Sequence, residues 1–78
     1  MPPYIKTDTA IINLANVIAL QVDRRPAEGE GVYSLGAGGN VLYTGTKETC
    51  LEVMAWVWAR LAMGDDFIQM DEFERDRA

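Results

Sequence analysis

The sequence predicts an α+β fold: an antiparallel meander of about four strands, one long amphipathic helix packed on it, and a short C-terminal strand. Three observations carry that expectation. Up to residue 45, short apolar segments alternate with polar or glycine-rich turns. Residues 46–63 then switch to a long apolar stretch with no interior glycine or proline. The links between the early segments are too short to cross over between parallel strands. The 78 residues make one domain, near the lower size at which a single core holds without help.

Ala10–Leu14 is the first short apolar strand, and Tyr4-Ile5 extends it across a break at Thr7-Asp8. Asn13–Asn16 reads as a turn, because Asn side chains bond nearby backbone and tolerate left-handed geometry. Val17–Asp23 alternates. Ile18, Leu20 and Val22 point one way, and Ala19, Gln21 and Asp23 the other, as in a half-buried strand. Arg24–Gly31 is a polar loop containing Pro26. Gly31–Leu35 and Val41–Thr44 are the next strands, joined by a tight turn over Gly36–Asn40.

The helix begins at Thr46, whose hydroxyl suits a cap, with Glu48 at the positive end of the helix dipole. Gly64 ends it in left-handed geometry. At about 100° per residue, Cys50, Leu51, Met54, Val57, Trp58 and Leu61 share one broad face, with Val53 on its margin. That face is expected to meet the sheet, with Trp58 in the core. Glu52, Trp56, Ala59, Arg60 and Met63 lie across from it. A small domain buries one stripe of a helix, not its circumference. Trp56, Ala59, Arg60 and Met63 are therefore the candidate interface, with Trp56 as an anchor of the kind tryptophan supplies. The alternative for Trp56 is a ring lying over the helix edge, covered by Arg60 or by the C-terminal segment.

Phe67–Met70 follows as a fifth strand, with a short helix capped by Asp66 as the rival reading. Residues 72–78 are a charged end expected to fray.

Composition narrows the function classes. The formal net charge is −5, and residues 47–78 hold eight carboxylates against four bases. Such a surface repels phosphate backbones and anionic lipid at long range. No apolar run approaches the ~20 residues of a membrane span, and Met1–Lys6 does not resemble a signal peptide. A single cysteine forms no internal disulfide, so a reducing, cytoplasmic setting is expected.

Several residues invite a chemical role, and each has a plainer one. Gly36, Gly38 and Gly39 miss the dinucleotide fingerprint at its last slot, Val41, and lead into a strand rather than a helix. Cys50 stands in the first helical turn but has no histidine to act as base, since the chain contains none. It reads as a core thiol. Asp65, Asp66, Asp71, Glu72, Glu74 and Asp76 lack the spacing of a calcium loop. Arg24 and Arg25, flanked by Glu28 and Glu30, read as a solvated loop. No catalytic, metal or cofactor site is expected, and the chain is not expected to be an enzyme.

The strand–strand–strand–strand–helix order resembles the coarse topology of single-strand nucleic-acid-binding coactivators and Whirly proteins, which dimerise through their helices. That resemblance implies a nucleic-acid-binding homodimer. It needs Tyr33, Tyr43 and Arg24 or Arg25 to share a sheet face or its rim. The Ile12-Asn13…Val17 pattern is also similar to one in small motility-associated proteins. Against the resemblance stand the acidic balance and the surplus apolar helix surface. These favour a small non-enzymatic interaction or regulatory domain that forms a homodimer or meets a protein partner. Nucleic acid and membrane are not expected partners.

Overall fold

The computed structural model describes residues 3–16 and 19–77. The expected α+β class holds. The strands are β1 (Tyr4–Lys6), β2 (Ile11–Asn13), β3 (Leu20–Arg24), β4 (Tyr33–Ala37), β5 (Asn40–Gly45) and β6 (Phe67–Gln69). The helices are α1 (Lys47–Ala62) and α2 (Glu72–Arg77). Val17 and Ile18, the expected start of the third strand, lie outside the described residues.

The strands form two sheets of three rather than one continuous meander. β3, β4 and β5 make the expected antiparallel unit. Its β4–β5 hairpin turns on Gly38 and Gly39 alone, with φ of 61° and 130°. Positive φ at both central positions is what a two-residue hairpin needs, and glycine adopts it without a Cβ clash. The register slips between Leu35 and Gly36, leaving Leu42 extra. Leu42 is thereby buried alongside the half-buried Tyr43.

The second sheet has the order β2-β1-β6. Tyr4-Ile5 does not prolong the Ala10–Leu14 strand; the chain folds back at Thr7-Asp8 instead. Thr7 Oγ1 accepts from the Ala10 amide at 3.1 Å, and Ala10 O accepts from the Thr7 amide at 2.8 Å. β6 pairs parallel with β1, a pairing that requires a long crossover, and α1 lies within it. Ile5 stands opposite both Ile12 and Ile68. These three isoleucines form a buried band that meets Leu35, Leu42, Val53, Val57 and Phe73 in one core. Asn13 Oδ1 accepts from the Ala15 amide at 2.9 Å, and a 3-10 turn follows over Leu14–Asn16, where the asparagines predicted a turn.

α1 is capped as expected: Thr46 Oγ1 accepts from the Thr49 amide at 3.1 Å. Gly64, at φ 87°, lets the chain leave. The orientation of α1 differs from the sequence expectation. Cys50, Val53 and Val57 are its buried residues, so Val53 lies at the centre of the buried face and not at its margin. Trp58 is not in the core but 70% exposed, and Leu51 is 42% exposed. The charged end, expected to fray, carries a second short helix. Residues 72–77 form α2, which buries Phe73. α2 supplies a second packing partner for α1, and that rotates the helix toward Trp56.

Candidate interaction surface

Trp56 and Arg60 are one turn apart on α1, and α2 comes to rest beside them. The Trp56 ring meets Phe73 edge-on, with centroids 5.7 Å apart. Its indole N–H donates to Asp76 at 2.8 Å. The Arg60 guanidinium lies 5.3 Å from the same ring. Arg60 also pairs with Asp65, with Asp76 at 3.1 Å and with Glu72 at 3.5 Å. The Asp65 hydrogen bond, with the charges of Asp65 and Glu72, holds the guanidinium above its ordinary pKa despite some desolvation. Trp56 is therefore half-buried by its own chain, as in the alternative reading of a ring covered by Arg60 and the C-terminal segment. Of the four predicted interface residues, Ala59 and Met63 are exposed, Met63 at 77%. Trp56 and Arg60 are engaged with α2.

The acidic residues divide accordingly. Asp65, Glu72 and Asp76 converge on Arg60, and Asp71 pairs with Arg75 at 3.2 Å. Among the described residues, no three potential metal ligands stand together. Cys50 is fully buried, and burial pushes its thiol pKa up, opposed by a hydrogen bond with the Gly45 backbone. A protonated, enclosed thiol is a poor nucleophile. Arg25 Nε donates to Ser34 Oγ at 2.8 Å, which satisfies the one buried polar residue among the described residues and ties the arginine to the sheet. Tyr43 lies with the core, its ring 6.1 Å from Phe73. Tyr33 shares that side of β4 with Leu35, and its cross-strand partner Arg24 stands on the same side, whereas Arg25 joins Ser34 on the other. Tyr33, Tyr43 and Arg24 thus share one side of the sheet, as the resemblance requires, but Leu35 is fully buried there and both tyrosines are half-buried.

The surface that sequence reasoning missed is on the opposite flank of α1. Leu51, Met54, Ala55, Trp58 and Leu61, with Leu14, Ala19 and Leu20, line an open groove of about 560 Å³. No titratable side chain is among them. The groove offers dispersion and apolar burial, and no acid, base or nucleophile. Its signal in the sequence is the 51, 54, 58, 61 spacing, which reads equally as a stripe facing the sheet. Comparison of the chain with protein-family models, curated proteins and solved structures finds no match. Among the described residues, no helix is long and apolar enough to cross a membrane.

Proposed function

We propose that this chain is a small non-enzymatic protein-interaction domain that self-associates through the outer face of α1. The observation that carries the reading is Trp58, 70% exposed on a helix whose neighbouring exposed positions, Leu51 and Ala55, are also apolar. An isolated exposed apolar residue is ordinary, but a contiguous groove with a projecting indole is the composition of an interface centre. Burying the exposed part of one Trp58 ring is worth about 3 kcal/mol, and a symmetric pair would bury two. Association costs at least about 4 kcal/mol in lost freedom, so the two rings alone leave at most about 2 kcal/mol, and micromolar affinity, about 8 kcal/mol net, requires burial of the rest of the groove as well.

Sedimentation equilibrium across the micromolar range tests this. The wild type should approach twice the chain mass of 8.7 kDa. Trp58→Glu should stay at the chain mass with an unchanged circular dichroism spectrum. A wild type that remains monomeric at high micromolar concentration would overturn the proposal.

A further inference from the structure

We infer that the outer face of the β3–β4–β5 sheet holds a small zwitterion, a molecule with a carboxylate and an ammonium a few atoms apart, the carboxylate on Arg25 and the ammonium on Asp23. This face is turned away from α1, so the inference does not rest on self-association. Leu35 and Ala37 of β4 are buried in the core beneath α1, and Ser34 and Gly36 between them face the other way. With Gln21, Asp23, Arg25 and Asn40 they line a trough of about 390 Å³.

The arginine is built into this face. Its amide donates to Val32 O at 2.7 Å, and its Nε donates to Ser34 Oγ at 2.8 Å. Ser34 is 2% exposed on a side where Gln21 and Asp23 are open to solvent. Nη1 and Nη2 enter no ion pair among the described residues. A guanidinium already held in place, with its outer nitrogens unclaimed, is preorganised for a carboxylate. Asp23 stands opposite Ser34 and lines the same trough, yet it forms no ion pair with Arg25 or with any other described residue. The trough therefore offers one place for an anion and one for a cation. A plain anion meets the charge of Asp23 and a plain cation that of Arg25, whereas a zwitterion is complementary to both.

Gly36 keeps the floor of the trough clear. Its φ is not positive, and an added Cβ would meet nothing closer than Asn40 O at 3.5 Å, an ordinary contact. The register slip beside it does not demand glycine either, because the glycine type of bulge takes a positive φ. A strand glycine that neither backbone nor space requires weakens the strand and marks a place where a ligand comes close.

Nuclear magnetic resonance titration with L-alanine tests the site, with acetate and methylammonium as its two halves. Alanine should shift the Ser34 and Gly36 amides and the Arg25 Nε–H saturably, with a midpoint on the order of 1 mM for two charge-assisted contacts. Each half alone should bind at least about fivefold more weakly, the loss of one such contact. Asp23→Asn should lower alanine affinity to that of acetate. Arg25→Lys keeps the charge without the fork and should weaken alanine and acetate alike. Gly36→Ala should keep a dispersed spectrum and weaken alanine. Shifts that stay linear far beyond the expected midpoint would overturn the site. Acetate binding as tightly as alanine, or an unchanged alanine response in Asp23→Asn, would overturn the zwitterion.

Discussion

Two tryptophans two residues apart have opposite surroundings. Trp56 has a ring edge on Phe73, a guanidinium over its face and a carboxylate on its indole nitrogen. Trp58 projects 70% into solvent. Trp56→Ala should therefore destabilise the fold by about 2–3 kcal/mol, below the full cost for a completely buried indole. Trp58→Ala should change stability by no more than about 0.5 kcal/mol, as surface substitutions do. Urea melts monitored by circular dichroism, on samples dilute enough to be monomeric, separate the two; equal losses would contradict the assigned environments. Cys50 supplies a second prediction at this scale. Its folded-state pKa is raised above the unfolded one, so the thiol's contribution to stability is fully present below the unfolded pKa. As pH rises past about 8.5, the unfolded thiol ionises first and stability falls. Wild type should lose more stability between pH 8 and 10 than Cys50→Ala does. A parallel pH dependence in the two proteins would show that the thiol does not contribute.

At the scale of elements, α2 matters more than its six residues suggest. A helix that short is marginal alone, and its order comes from docking. Phe73 is the anchor: it is buried to 5% exposure and touches both Trp56 and Tyr43. Phe73→Ala should cost about 3–4 kcal/mol, and it should expose Trp56 as a red shift in its fluorescence. A melt within 1 kcal/mol of wild type would mean that α2 contributes little to the core. Arg60 works from the α1 side of the same contact, since three carboxylates, two of them on α2, meet one cation. Thr46 has a purely local role, one side-chain acceptor for one orphan amide at the start of α1.

The whole molecule is held by a core shared between two small sheets and α1. Neither sheet has more than three strands, and the isoleucine band of one completes the core begun by Leu35 and Ala37 of the other. A domain of this size has on the order of 5 kcal/mol of stability, so losses such as that at Phe73 approach the total. The net charge of −5 governs long-range encounters. Tyr33, Tyr43 and Arg24 share one side of the sheet, but Tyr43 is packed against the core there, and Arg25 is bonded to Ser34 on the opposite side. With a single arginine on that side and an acidic net charge, counterion release has little to drive it. No binding to single- or double-stranded DNA is expected at physiological salt by fluorescence anisotropy. Micromolar binding that weakens steeply with salt would restore the nucleic-acid reading.

Local chemistry determined which elements form. Thr46 and Gly64 bound α1, Gly38 and Gly39 turn the β4–β5 hairpin, and Leu20 to Asp23 alternate between half-buried and exposed as a strand on a sheet must. Each of these depends on residues within a few positions of one another, so the sequence by itself was sufficient. Only the tertiary structure decided the parallel pairing of β1 with β6, the docking of α2 and the rotation of α1. Nothing local to Phe73 marks it as a core residue in a charged segment. Nothing local to residues 56 and 58 says which indole is covered. A helix with apolar side chains around most of its surface has more than one face it could bury. The choice falls to whatever elements stand on either side, and here Phe73, Asp76 and Glu72, between 16 and 20 residues beyond Trp56, half-cover Trp56 and leave Trp58 exposed.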